Sequence, residues 1–166
     1  MTSSNNQETL DSNRKAYPDG DPVTRFLRAR GFEVSAYYMG KTSLLLGARF
    51  EYQGVEIVYR VEGDTLIMAI YRRLHSSESG LKNIFEPFIW FSERLIYDIP
   101  EIRFMRGNPD ALSAPDGKGL TTRKLHRFYR HLMGAEPDPE PGWYRFELIN
   151  YKTMRQRQQE RSSKKD

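Results

Sequence analysis

Four segments in the first half of the chain alternate between apolar and polar residues, which is the pattern of half-buried strands. They cover residues 32–38, 44–52, 55–61 and 65–72. Gln53-Gly54 and Glu62-Gly63-Asp64 separate the last three segments and have the composition of hairpin turns. Because strands joined by short turns pair side by side, the pattern predicts an antiparallel β-meander with one face on a core.

The segment from Ile84 to Tyr97 is apolar on most sides when its residues are placed on a helix. Helices of this kind are buried within a domain, so we expect Phe88, Trp90 and Phe91 to lie in the core. Asn83 is a candidate N-cap with Glu86 in capping-box position, and the following proline falls in or near the first turn.

A short helix precedes the meander, and further elements follow the central helix. Asp21, Pro22 and Gly31 are the residue types expected at the N-cap, first turn and end of that first helix. Later segments read as a strand (101–106), a helix (121–133), an acidic polyproline-like connector (136–141) and a last strand (142–149). The order α-β-β-β-β-α-β-α-β predicts a single α+β domain, with an antiparallel meander extended by later strands and two to three packed helices.

The ends of the chain differ from its middle. Residues 1–20 are polar and predict a disordered leader, residues 21–151 form the domain, and residues 152–166 form a basic flexible tail. The leader has no apolar run of the kind that a signal peptide needs, and no segment is long and apolar enough to span a membrane. We therefore expect a cytoplasmic protein that does not insert into a membrane.

The position of the charges narrows the choice of partners. The chain carries 26 basic and 22 acidic residues, a net charge of +4. The tail holds six bases and two acids, whereas residues 22–151 hold 18 bases and 16 acids. Because the domain is nearly balanced, its composition does not favour a general polyanion binder.

The sequence contains no evident catalytic or cofactor motif. Cysteine is absent, which excludes thiol catalysis and disulfides, and His126 and His131 are badly spaced to share a metal on one helix. Residues 117–119 match neither the Walker motif nor the dinucleotide-binding motif. The element order loosely resembles an acetyl-CoA-dependent acyltransferase, but residues 76–81 offer one glycine where that fold needs a glycine-rich loop. We expect no catalysis, no cofactor and no metal.

The predicted helix 121–133 has one apolar face and one basic face. The basic face supplies the candidate partner-binding residues, which are Arg123, Lys124, Arg127 and Arg130. An ordinary solvated helix surface also carries such charges. As a functional surface, the face suits contact with an acidic protein patch or with nucleic acid, although no helix-turn-helix motif precedes it.

Three pieces of the sequence form a set that points to a family. The first is residues 80–83 with Phe85. The second is Leu120-Thr121 followed by Leu125, Phe128-Tyr129-Arg130 and Gly134-Ala135. The third is Gly142-Trp143. With the first helix and the basic tail, they resemble the low-calcium-response R family of type III secretion regulators over about residues 21–159. That resemblance implies a small cytoplasmic protein that takes part in controlling secretion, and it transfers no catalytic residue.

The sequence thus leads to a non-enzymatic, regulatory or chaperone-like protein of a type III secretion system. It would act through protein–protein contacts at the open edge of the meander and at helix 121–133. The expected partners are protein components of the secretion apparatus, with a homodimer as a further option. The alternative is a transcriptional or post-transcriptional regulator that binds nucleic acid through helix 121–133 and the tail.

Overall fold

A computed structural model of the chain describes residues 16–74, 85–108, 127, 129–130, 135–150 and 162–163. Helix α1 is Pro22–Ala29 and helix α2 is Glu86–Asp98. The strands are β1 (Ser35–Tyr38), β2 (Leu45–Tyr52), β3 (Val55–Glu62), β4 (Thr65–Arg73), β5 (Phe104–Gly107), β6 (Glu136–Pro137) and β7 (Tyr144–Glu147).

The strands form one sheet in the order β1-β2-β3-β4-β5-β7-β6. Neighbours pair antiparallel except β4 and β5, which run parallel. Parallel neighbours need a long crossover connection, and α2 lies in the segment between these two strands. The predicted α+β class, a meander extended by later strands and packed with helices, is confirmed.

The meander follows its predicted turns closely. Gln53 and Gly54 have φ of 49° and 77°, and two successive positive values are the geometry of a type I′ hairpin turn. β1 begins at Ser35, three residues later than predicted. The preceding residues complete the exit from α1, where Phe32 N–H donates to the Leu27 carbonyl at 3.0 Å.

The core lies between one face of the sheet and the helices. Alternate residues of the central strands, such as Phe50, Ile57 and Tyr59, point to this inner face and are fully buried. β3 is buried on both faces from Val55 to Tyr59, because it lies near the middle of the sheet. This strand is therefore closely packed on both faces over these residues.

Helix α1 begins as predicted. The Asp21 carboxylate accepts hydrogen bonds from Thr24 N–H at 2.8 Å and from Thr24 Oγ1 at 2.7 Å. Thr24 Oγ1 lies 2.8 Å from Tyr59 Oη, so the cap is hydrogen-bonded to the centre of the sheet. Satisfying the free N–H groups of the first turn in this way fixes where the helix starts.

One prediction about α2, its N-cap, is wrong. The helix begins at Glu86, and the N-cap residue Phe85 makes no side-chain capping bond, so there is no capping box; Asn83 lies outside the described residues. Phe88 and Phe91 are fully buried, and Trp90 is mostly buried and packs against the core, as predicted. Trp90 also stacks on Tyr52, with the ring centroids 4.1 Å apart.

The later segments differ from their predicted bounds. Residues 136–137 pair with β7 as a short edge strand, although they were predicted to belong to the connector. β5 begins at Phe104. The Arg103 and Phe104 N–H groups both donate to the Asp64 carbonyl at this end of the strand. β7 ends at Glu147, and residues 148–150 are helical.

The last residues of the predicted leader contact the domain. Ala16 pairs with Ser35, and the Arg28 guanidinium binds the Tyr17 carbonyl at 2.6 Å and the Asp19 carboxylate. The division into leader, domain and tail stays a prediction. Within the described part of the chain, no helix is long and apolar enough to cross a membrane.

Candidate functional site

The structure describes two of the four candidate partner-binding residues. Arg127 and Arg130 are both exposed, and the tyrosine between them, Tyr129, is fully buried. Arg123 and Lys124 lie outside the described residues. The predicted division of this segment into a basic face and an apolar face therefore holds at the positions that can be compared.

Tyr129 anchors the segment to the core. Its ring meets Phe88 edge-on at 5.6 Å and stacks with Tyr144 at 5.9 Å. Gly107 makes room for it, since a Cβ at that position would overlap Tyr129 Oη and lie 2.8 Å from Tyr129 Cζ. Burial raises the pKa of Tyr129 above its ordinary value, so the phenol stays neutral at physiological pH. A buried aromatic anchor holds the two exposed arginines in place.

Most of the described arginines are neutralised by acids within the fold. Ion pairs to Asp or Glu are made by Arg28, Arg30, Arg49, Arg60, Arg72, Arg94, Arg103 and Arg106. Arg127 and Arg130, like Arg25, Arg73 and Arg145, make no ion pair with an acid that the structure describes.

The face of the sheet opposite the core carries arginines on several strands, and acids balance most of them. The Glu56 carboxylate is almost fully buried there and lies 2.5 Å from Arg49 Nε. Arg72 Nη2 is 2.7 Å from the other Glu56 oxygen, at an angle too poor for a hydrogen bond, so this contact is electrostatic. Arg49 also binds Glu51 at 2.5 Å. This face is not a basic patch, which argues against a nucleic-acid site on the sheet.

Comparison with known proteins decides the family. A family model described as "Type III secretion system regulator (LcrR)" matches residues 20–160. The chain belongs to the LcrR family. Its resemblance to the low-calcium-response R proteins is thereby confirmed, and so is a regulatory role in type III secretion.

The curated relatives agree with the family model. The chain is 26% identical over 143 residues to the "Low calcium response locus protein R" of Yersinia enterocolitica, of Yersinia pestis and of Yersinia pseudotuberculosis. Each match covers 83% of this chain and 94% of the relative. No solved structure matches the chain significantly.

The structure of this LcrR family member also presents an exposed apolar group, two members of which, Leu44 and Leu45, lie in the predicted strand 44–52. Met39, Leu44 and Leu45, beside the turn between β1 and β2, are 48%, 56% and 43% exposed. The sequence does contain a signal for this exposure, because three consecutive leucines, residues 44–46, follow the polar turn. Neighbouring residues of a strand point to opposite faces, so the three cannot all face the core.

In this LcrR family member, an ionic network holds the turn between β6 and β7. The Arg106 guanidinium binds the Asp138 carboxylate through Nε at 2.9 Å and Nη2 at 3.2 Å, and it also binds Glu140 at 2.9 Å. The same guanidinium lies over the Trp143 ring at 4.9 Å. Because β7 carries Tyr144, which stacks on Tyr129, the network helps to position the anchor of the basic segment.

This network gives stability that depends on pH. Burial opposes ionisation of Asp138, but hydrogen bonds from Glu140 N–H and Arg106 outweigh it and hold the pKa of the carboxyl below its ordinary value. A carboxyl whose pKa is lower in the folded state stabilises the fold above its unfolded pKa of about 4 and loses that effect as the pH falls.

We expect Asp138→Asn to lower the free energy of unfolding at pH 7 by about 1–2 kcal/mol, since it breaks a charge-assisted pair. The difference from the unmodified protein should shrink as the pH falls below about 4, where the native carboxyl also becomes protonated. Urea titrations at several pH values measure this. A difference that stays constant from pH 7 to pH 3 would contradict the role given to Asp138.

The described residues contain no group of three or more histidine or acidic residues placed to hold a metal ion.

Proposed function

We propose that this LcrR family protein controls type III secretion by binding a protein component of the secretion apparatus through the basic surface of the predicted helix 121–133. It does so in the cytoplasm, without catalysis, as a regulator or chaperone-like protein. The single observation that carries the proposal is the pair of exposed arginines, Arg127 and Arg130, on either side of the buried Tyr129.

The chemistry of these arginines supports a protein partner. Arginine is enriched among the residues that dominate binding energy at protein interfaces, because its planar fork can bind a carboxylate through two hydrogen bonds. A partner with acidic residues would complement a surface whose arginines have no acid among the described residues. Tyr129 adds rigidity, since an anchored surface loses less conformational entropy on binding.

The alternative is that the same helix, with the tail, binds nucleic acid. The observation that favours it is the concentration of six bases in residues 152–166. Binding of this kind rests on phosphate contacts, so it would be insensitive to sequence and would weaken steeply with salt. The balanced charges on the outer face of the sheet offer no further site for a polyanion.

The experiment compares two purified variants with the unmodified protein. Arg127→Ala/Arg130→Ala removes the proposed contact, and Arg25→Ala removes an exposed helical arginine whose described hydrogen bond is to the Asp19 carbonyl. Components of the secretion apparatus are tested one at a time by titration calorimetry. We expect one component to bind, with affinity at least about tenfold weaker for the double variant and unchanged for Arg25→Ala. Equal affinity for the double variant and the unmodified protein would contradict the proposal.

Mobility-shift assays test the alternative with the same variants and a chain that lacks residues 152–166. On the proposal, any shift is independent of sequence, disappears at physiological salt and is lost with the tail. A sequence-selective shift at physiological salt, retained without the tail and abolished by Arg127→Ala, would establish the nucleic-acid alternative instead.

A further inference from the structure

The two ends of the sheet are protected in different ways. β6 is two residues long and consists of a glutamate and a proline, both of which discourage another strand from pairing. β1, at the opposite end of the strand order, consists of Ser-Ala-Tyr-Tyr and includes neither a charge nor a proline. Proteins also protect an edge strand by covering it with another part of the chain. Such a cover exists at the start of β1, where Ala16 pairs antiparallel with Ser35.

Arg28 of α1 joins residues 16–19 to the rest of the domain. Its Nη2 donates hydrogen bonds to the Tyr17 carbonyl at 2.6 Å and to the Val34 carbonyl at 2.9 Å, and its Nη1 binds the Asp19 carboxylate. Val34 directly precedes β1. A single guanidinium therefore ties residues 16–19 both to the helix that carries it and to the start of β1.

The Tyr17 side chain adds a further point of attachment. It is partly buried and packs against the hydrophobic core. Burial, with the Asp21 carboxylate nearby, raises the pKa of the Tyr17 phenol above its ordinary value. Residues 16–19 are thus held by strand pairing, by side-chain packing and by the contacts of Arg28.

We propose that residues 16–19 form a strap that Arg28 latches over the start of β1, and that this strap guards the edge against edge-to-edge association between copies of the chain. The latch depends on the planar guanidinium, which reaches two carbonyls and a carboxylate at once. A lysine keeps the charge but is a compact point charge without this fork. Fixing four residues in one conformation costs entropy, which the remaining contacts offset only in part once the latch is lost.

The strap lies on a different surface from the proposed secretion contact, which is at Arg127 and Arg130. Its tests need only the purified chain. Failure of the strap would therefore leave the proposed function standing, and failure of the proposed function would leave the strap standing.

Disulfide formation tests the latch. The chain contains no cysteine, so Ala16→Cys/Ser35→Cys introduces one pair of thiols, at positions directly opposite on paired strands and close enough to bond. Under mild oxidation we expect the intramolecular disulfide to form about tenfold more slowly when Arg28→Lys is added, because the open strap lowers the effective concentration of one thiol near the other. Arg60→Lys is the matched control, since Arg60 pairs with Glu62 of its own strand, and it should leave the rate unchanged. A rate that Arg28→Lys does not lower would overturn the latch.

Analytical ultracentrifugation of the full chain over a range of concentrations tests the guard. We expect Arg28→Lys to associate about tenfold more tightly than the unmodified chain, because the start of β1 is uncovered for more of the time. Closing the strap with the Ala16→Cys/Ser35→Cys disulfide, in monomer isolated after oxidation, should return Arg28→Lys to the behaviour of the unmodified chain, and reduction should reverse this. Association that Arg28→Lys does not strengthen, or that persists with the strap closed by the disulfide, would overturn the guard.

Discussion

Gly47→Ala should destabilise the fold strongly. A Cβ at this position would overlap the Tyr59 carbonyl oxygen and lie 2.8 Å from the carbonyl carbon, an approach that no packed structure tolerates. The obstacle is backbone of β3, which is buried on both faces and cannot retreat. Either the pairing between β2 and β3 breaks or the strand shifts. We expect a loss of about 3 kcal/mol or more in the free energy of unfolding.

Urea titration followed by circular dichroism measures this loss, with two other glycines as controls. A Cβ added at Gly20 would have no heavy atom within 4 Å, so Gly20→Ala should change stability by less than about 0.5 kcal/mol. Gly40 is equally open but has φ of +54°, so Gly40→Ala should cost about 1 kcal/mol through backbone strain alone. If Gly47→Ala were no worse than Gly40→Ala, close approach of β3 would not be the reason for the glycine.

Phe91→Ala is expected to lower the free energy of unfolding by about 3–5 kcal/mol, since the change leaves a cavity in the centre of the core. Phe91 is fully buried on α2, and its ring contacts Phe50 at 5.2 Å and Tyr59 at 5.7 Å. Both partners belong to the sheet. The stability that is lost therefore comes from the packing between α2 and the meander.

Tyr97→Ala is the control on the same helix, because Tyr97 is 55% exposed. It should cost about 1 kcal/mol or less. The two variants differ in burial while sharing the helix and the removal of an aromatic ring. An unchanged denaturation midpoint for Phe91→Ala would mean that α2 does not pack on the sheet as described.

The meander could be predicted from sequence because its information is local. Alternation within each strand and a turn such as Gln53-Gly54 specify which residues pair, without reference to the rest of the chain. The cap of α1 is equally local, since Asp21 and its partner Thr24 are three residues apart. The structure therefore agrees with the sequence at these elements to within a few residues.

The features that the sequence did not predict depend on distant residues. Trp90 packs against the core as predicted, but its stacking on Tyr52 of β2 could not be predicted from α2 alone. β6 exists because Glu136 and Pro137 meet β7, which lies beyond the turn. Which arginines are neutralised is also non-local, as Arg106 and Asp138 are 32 residues apart. The basic surface could be proposed from sequence, but the contrast between paired and unpaired arginines could not.

Secretion itself offers the most direct test of the central claim that Arg127 and Arg130 control type III secretion through a protein contact. A strain that lacks the gene is complemented with the unmodified protein, with Arg127→Ala/Arg130→Ala or with Arg25→Ala, each at equal cellular level. Secreted substrates are then measured under permissive and non-permissive conditions. We predict that the double variant behaves like the deletion strain and that Arg25→Ala restores normal control. Full restoration by the double variant would contradict the claim.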